Sequence, residues 1–470
     1  MAQPLNNEWI DYSKTYYKFK LGTSSLCRIT QASLATVGLQ NTPAEQFQLW
    51  RNGKQVPLYT TNPTGLMGSN DYIEFWGKKN DGKPDKYLYR DSSFQLSDRL
   101  SLLTDTAAFF LTVNPNPTTA SPNLRFADAS NTIPPNPPSP LPYFTYSQYF
   151  DFDQGVNTYI NLGFFENIGE NLYSSSYDLG EFPGSSPIQQ GNSALTVPVS
   201  PLYAASTGTA AILQAGIVGD QDQLIGGGNT IRTVQINFNN DNTNVLLDTL
   251  TTLSPRTAST SIPLSTLTGT PTSLLVSIAA TNNPSDYVVC SYIKLTYPRL
   301  FNFGGQTNFF FSLPASANSN YLQITNFSSG STPPVLYDFT NQLRYTANTN
   351  IAGTLQFELP PSATNTDFLL VNEDPSLNSI NTIINLQQRN FVNYATVQSD
   401  YLIISDSSLG LTGNGAVSLY QQYRNSTGFN AKIYAIDQLV DQFGYGIKKH
   451  PLSVKNFIRY ATQPKTLPFS

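Results

Sequence analysis

The chain holds only two cysteines, Cys27 and Cys290, and a single histidine, His450, in 470 residues. With that count and spacing no metal site is assigned. The two thiols leave room for one disulfide or for two reduced cysteines in β cores. Their strand-like surroundings favour the second reading. Charge is also scarce. Asp, Glu, Lys and Arg make up 12% of the chain, the formal net charge is −5, and no basic run occurs. A nucleic-acid partner is therefore not expected. Long apolar runs are missing too: no stretch approaches the roughly 20 residues a membrane helix needs. No secretory signal is evident either, because Met1-Ala2-Gln3 leads straight into polar residues. An exported chain whose signal has been replaced by a start methionine would read this way, and so would a cytoplasmic chain. Composition favours the exported one.

What is present points to β structure. Aromatics reach 12%, with 27 Tyr and 28 Phe, and Asn, Ser and Thr are abundant. Low charge with many aromatics is not a signature of disorder. The 32 Pro and 30 Gly are spread along the chain like punctuation between strands. The fold class expected is mostly β: an N-terminal β module and two β-sandwich-like modules, followed by the incomplete start of an α/β domain.

The organisation predicted is residues 1–113 as the N-terminal β module, 114–142 as a Pro-rich linker or arm, 143–300 as a β-sandwich, 301–396 as a second sandwich, and 397–470 as the truncated start of an α/β domain. In the first, Tyr16–Lys20, Leu26–Thr30, Phe47–Trp50 and Asp71–Trp76 read as strands, and Arg51-Asn52-Gly53-Lys54 as a tight hairpin turn. In the third, Thr233–Phe238, Leu274–Ile278 and Tyr287–Tyr297 alternate. There Tyr287, Val289, Ile293, Leu295 and Tyr297 are expected on one face and Cys290 on the other.

The last stretch reads differently. Tyr401–Ser405 is a short apolar strand and Ala416–Arg424 a helix carrying Val417, Tyr420 and Tyr423 on one side. Ala431–Ile436 reads as a second strand. His450-Pro451 opens another helix whose buried stripe is expected to be Val454, Phe457, Ile458 and Ala461. Strand, helix, strand, helix implies a parallel sheet. The chain reaches Ser470 before supplying further strands, so the expectation is a segment short of apolar cover.

Candidate chemistry is thin. Gly410-Leu411-Thr412-Gly413-Asn414-Gly415 lies between strand and helix, where nucleotides bind in doubly wound folds, but its order is not that of the dinucleotide fingerprint. It is read as a connecting loop, without a cofactor. Leu224–Asn229 lacks the Lys-Ser/Thr of a phosphate loop. Gly77–Asp85 has lysine and leucine where a calcium loop needs oxygens, so it reads as a surface turn. His450 reads as a solvated residue at a helix start. Cys27, although next to Arg28, and Cys290 lack the electropositive, partly exposed setting of a reactive thiolate. Asp151 and Asp153 read as solvated loop charges. No catalytic, cofactor-binding or metal-binding residue is assigned.

Several stretches, taken in order, resemble one family. Tyr16-Tyr17-Lys18-Phe19-Lys20 followed by Leu26-Cys27-Arg28-Ile29-Thr30 is similar to the opening of the type IX secretion system sortases of Bacteroidetes. So are Asp71–Gly77 with Leu88–Asp91, Ala108–Thr112, Tyr292–Arg299 and Val335–Asp338. Tyr401–Ser405, Tyr423–Phe429, Gln442–Gly446 and Pro451–Tyr460 resemble the beginning of the gingipain-type cysteine peptidase domain. Cys27 departs from the pattern, standing where an aromatic residue is usual.

The resemblance implies a cell-surface, outer-membrane-associated cysteine endopeptidase. Such an enzyme uses a Cys-His dyad to remove the C-terminal sorting signal of exported cargo and can join the cargo to anionic lipopolysaccharide. The partners implied are cargo proteins with C-terminal sorting domains and an outer-membrane β-barrel of the secretion system. No residue here matches either dyad position, so the chain by itself is expected to be inactive. The alternative is a non-catalytic surface adhesin or glycan-binding protein. Its aromatic platform would be Tyr143, Phe144, Tyr146, Tyr149 and Phe150.

Overall fold

The computed structural model describes residues 3–153, 182–219, 230–241, 246–251, 255–397 and 399–462. The chain forms two compact units. One comprises Met1–Tyr87, Leu103–Arg125 and Ile380–Ser470; the other comprises Leu88–Leu102 and Phe126–Ser379. As the sequence implied, the described residues are mostly β, in seven sheets.

The first unit opens with two facing sheets. One runs in the order Gln387–Asn390, Thr15–Leu21, Ala107–Val113, Phe47–Arg51, Lys54–Val56; the other in the order Asn381–Thr382, Ser25–Thr30, Tyr72–Gly77, Tyr59–Thr60. The hairpin at Asn52-Gly53 forms as expected, with φ of 48° and 70°. Positive φ at both positions gives the turn whose twist matches the strands it joins. Phe19, Phe47, Leu49, Phe109 and Leu111 from the first sheet meet Ile29, Ile73 and Phe75 from the second. Burying each such side chain stabilises the unit by roughly 1.5–3 kcal/mol.

Ala107–Val113 reads AAFFLTV, with no polar alternation. A strand of that kind must be covered on both faces. Its second face, with Ala108 and Phe110, joins Tyr16, Ile10 and Phe391 in a separate cluster capped by Trp9. The C-terminal residues reach the same side.

They form a parallel pair, Tyr401–Ser405 beside Ala431–Ala435, connected by the helix Ala416–Ser426. The helices Ile436–Phe443 and Leu452–Thr462 follow. The first of these was not foreseen, and residue 436 opens a helix instead of ending a strand. Its start has no side-chain cap, so the usual entry signal is missing. Two expected stripes are also corrected. Tyr420 and Tyr423 are exposed. In Leu452–Thr462 the buried face is Leu452, Ser453, Asn456 and Phe457, while Ile458 is exposed. Asn456 and Ser453 are inside because protein polar groups meet them there: Asn456 Nδ2 donates to the Phe443 carbonyl, and Ser453 Oγ to that of His450.

The second unit holds two pairs of sheets. In one pair, Ile188–Gln189, Tyr287–Arg299, Ala211–Gly219 and Arg256–Ile262, with Phe144–Asp151 on the far half of the long strand, face Leu195–Pro198, Ser273–Thr281, Ile231–Phe238 and Leu246–Thr251. The face assignment along Tyr287–Arg299 needs correcting. Gly216 pairs with Tyr292 but Ile217 pairs with Cys290, so Ser291 is skipped. This bulge reverses the alternation, putting Val288 and Cys290 in the same core as Ile293, Leu295 and Tyr297. Val289 turns instead to Phe182 and Val218.

The other pair sets Asn302–Gln306, Asn320–Phe327 and Thr354–Leu359 against Asn308–Leu313, Thr366–Val371, Val335–Asp338, Leu343–Thr346 and Ala127–Ala129. That last strand comes from the Pro-rich stretch. It lies parallel to Leu343–Thr346, and Leu141 N–H bonds the Tyr321 carbonyl further on.

Candidate functional site

In an open parallel sheet, ligands meet the carboxyl ends of the strands. Here those ends are Ser405 and Ala435. Asp406 follows the first strand, and its Oδ1 accepts the Ser408 N–H at 2.9 Å. The Ser408 hydrogen bonds hold the Asp406 carboxyl below the usual carboxylate range. Gly410 then turns with φ of 74°, and a Cβ placed on it would stand 2.5 Å from the Gly415 Cα. The Gly410–Gly415 loop is closed on its own backbone and delivers the chain to the helix at Ala416, which has no side-chain cap. It is a connecting loop, as its residue order suggested. The strand ends carry hydroxyls and a carboxylate, with neither thiol nor imidazole among the described residues, and the Ser418 N–H at the helix start is taken by the Gly410 carbonyl.

The thiols lie elsewhere. Cys27 is fully buried in the first unit's core and Cys290 in the sandwich core, both free. Burial pushes the Cys27 thiol up to about 11 and the Cys290 thiol up to about 12. Neither forms a thiolate near neutral pH, and neither has an imidazole beside it. The absence of a disulfide agrees with the reading of two reduced core cysteines.

His450 is not the solvated residue expected. It is 1% exposed. Its Nδ1 accepts the Leu452 N–H at 3.2 Å, which places the ring proton on Nε2, 3.1 Å from Asp85 Oδ1. The imidazole thus tethers the start of the last helix to a loop far away in sequence. That loop, Gly77–Asp85, is likewise not a surface turn. Asn80, Asp81 and Asp85 are buried. Asn80 donates to the Thr104 carbonyl at 2.8 Å, and Asp81 Oδ2 lies 3.7 Å from Arg51 and 3.6 Å from Lys78. With two cations on that oxygen the loop is not a cation site. Among the described residues no group of three or more His, Cys, Asp or Glu is placed to hold a metal.

The remaining candidates separate as well. Asp151 is bound by Arg99 through both oxygens, at 3.0 and 2.8 Å, rather than solvated, whereas Asp153 is exposed. Leu224–Asn229 lies outside the described residues. The aromatic run does not form an open platform. Phe144 is buried against Phe301, ring centroids 4.9 Å apart, Tyr146 stacks on Phe309 at 5.4 Å, and Arg99 covers Tyr149 at 4.0 Å. Phe150 packs on the sandwich core.

Residues that the sequence reading passed over are Lys18, Asp441 and Arg389. Asp441, on Ile436–Phe443, takes Lys18 on one oxygen and Arg389 Nε on the other at 3.2 Å. The alternation of Lys18 between Tyr17 and Phe19 marks it as facing away from the first core, which is the only hint available from sequence.

Comparison with known proteins centres on this C-terminal segment. Residues 394–468 match the profile described as peptidase family C25. No curated protein matches the chain. Among solved structures, dimeric latent PorU from Porphyromonas gingivalis superposes with a TM-score of 0.55 at 13% identity, over 97% of this chain and 41% of that one. The chain therefore spans well under half the length of that relative. The infectious bursal disease virus Gx strain structure gives only 0.18 at 9% identity, over 77% of this chain and 80% of that one, and carries no argument. By the family match of its strand–helix segment and by its overall fold, the chain is similar to the gingipain-type cysteine peptidases of family C25.

Proposed function

We propose that the chain is the part of a cell-surface, outer-membrane-associated cysteine endopeptidase that carries its β modules and a strand–helix portion of its peptidase domain. The observation that carries this reading is the family C25 match at residues 394–468, which falls on the one parallel α/β segment among the described residues, which are otherwise mostly β. The fold likeness to latent PorU over nearly the whole chain supports it.

The substrates proposed are exported proteins bearing a C-terminal sorting domain. The chemistry is thiolate attack on the peptide carbonyl, departure of the sorting domain as the free amine, and transfer of the acyl group from the thioester to water. Transfer to an amine on lipopolysaccharide would attach the cargo instead. The β modules would hold the peptidase on cargo or on a β-barrel partner in the membrane. No described helix is long and apolar enough to cross a membrane, which says nothing of a barrel.

The catalytic cysteine is not proposed among the residues of this chain, because Cys27 and Cys290 are both buried and protonated. The 470-residue chain alone is therefore expected to show no thiol-dependent cleavage. The test is deletion of the gene in its host, followed by mass spectrometry of surface proteins. Retention of C-terminal sorting domains on exported cargo is expected. Normal removal of those domains would overturn the reading.

A further inference from the structure

We infer that the N-terminal sheet is a built-in dock for the C-terminal helix pair, with residues 3–12 strapped across that pair to hold it in place. Both belong to the same compact unit, although they come from opposite ends of the chain. The inference concerns placement of the segment and stands whether or not the peptidase reading above is right.

The dock begins with composition. The sheet formed by Thr15–Leu21 and Ala107–Val113 spends one face, Phe19, Phe109 and Leu111, on the facing sheet. Its other face carries Tyr16, Lys18, Ala108 and Phe110, all buried. A buried lysine on a sheet face needs an anion, and Asp441 supplies it from the helix Ile436–Phe443. Arg389, on the neighbouring strand, holds the second oxygen of the same carboxylate.

The turn after that helix is seated on bare backbone. Gly446 has φ of +75°, and a Cβ there would meet Ala108 Cβ at 2.6 Å and Phe110 Cζ at 2.9 Å. Only glycine permits both the left-handed turn and this approach. Beside it, Tyr445 lies over Gly53, where a Cβ would stand 3.0 Å from the Tyr445 ring.

The strap meets the helix pair through hydrogen bonds. Asn6 Nδ2 donates to the Phe443 carbonyl at 3.2 Å, on the last turn of one helix. Tyr12 donates to Gln442 Oε1 at 3.1 Å, and Arg459, on the next helix, donates to the Gln3 carbonyl at 3.0 Å. Trp9 anchors the strap among Tyr16, Trp50, Phe110 and Phe391. His450 with Asp85 pins the start of the second helix. Every one of these partners lies outside the segment, so the order of the helix pair depends on the N-terminal module.

The experiment is hydrogen exchange on the full chain carrying Gly446→Ala, Asp441→Asn or Tyr12→Phe. Peptides from 436–462 should exchange at least tenfold faster in Gly446→Ala and several-fold faster in the other two. Peptides from 211–219 and 287–299, in the other unit, should be unchanged. Unaltered protection of 436–462, or an equal loss in both regions, would overturn the dock. Should Gly446→Ala fail to fold, the other two substitutions carry the same two-region comparison, since each weakens a contact without adding a heavy atom that must be housed.

Discussion

His450 Nε2 and Asp85 Oδ1 are 3.1 Å apart, between residues that are 1% and 0% exposed. The imidazole also accepts the Leu452 N–H on its other nitrogen. Replacing His450 with Ala removes a donor from a buried carboxylate and an acceptor from a helix start. A loss of roughly 0.5–3 kcal/mol for each hydrogen bond removed is expected. Trp9, Trp50 and Trp76 all lie in this unit, so the urea midpoint followed by tryptophan fluorescence measures it. An unshifted midpoint would show that the pair contributes nothing.

Arg232 and Asp286 form a fully buried ion pair, with Arg232 Nη2 donating to Asp286 Oδ1 at 3.0 Å. Truncating Arg232 to Ala leaves a carboxylate in the sandwich interior and should cost about 3–5 kcal/mol. Replacing both residues with apolar ones of similar volume should cost less. Hydrogen exchange of Tyr287–Arg299 under mild denaturant distinguishes the two; equal losses would contradict this account.

Asp374 is a carboxylate held by donors. The Ser376 hydroxyl, at 2.6 Å, is the largest influence lowering its pKa, and Ser331 donates through both N–H and Oγ. Its folded value lies below the unfolded one of 3.8, so its contribution is present at neutral pH and lost as pH falls below that value. Asp374→Asn should therefore flatten the acid limb of the stability profile of this unit. A profile with unchanged slope below pH 4 would refute the assignment.

The thiols titrate in the opposite sense. Burial raises both in the folded state, while the unfolded chain releases its thiol protons near 9.0. Stability is thus fully present below 9.0 and declines as pH rises from there towards 11. At pH 8 a thiol reagent should leave both cysteines unmodified in the native chain and label both within minutes in guanidinium. Fast native labelling of either would mean that its core opens.

Gly410→Ala should unseat the loop before Ala416–Ser426. The added methyl meets backbone at 2.5 Å and sits at φ of 74°, so neither a rotamer change nor a small shift relieves it. Strain of this kind costs of order 1–3 kcal/mol. Faster exchange in 401–435 is the expected readout, larger than that caused by Gly413→Ala, where nothing lies within 4 Å and only the backbone strain of a positive φ is added. Because Gly413 also has positive φ, the difference between the two isolates the steric part.

Local signals were the ones legible in sequence. Asn52-Gly53 announced its hairpin because two positive φ values in a row favour those residues. Alternation located Thr233–Phe238, part of the strand Ile231–Phe238 whose burial alternates residue by residue. It failed in Tyr287–Arg299, because a bulge at Ser291 is a property of pairing between two strands and leaves no mark in one of them. The helix Ile436–Phe443 was passed over for want of a capping residue, although Ile436, Leu439, Val440 and Phe443 carry helical spacing.

Composition, periodicity and turn chemistry by themselves determined that this chain is mostly β and carries a strand–helix segment towards its C-terminus. Those properties depend on neighbours within a few residues, or on counts alone. Only the tertiary structure decided where the charges went. His450, Asp85, Lys18 and Asp441 are polar in sequence and would be solvated on any isolated element. Each is inside because a partner hundreds of residues away, brought up by the fold, replaces the water it gives up.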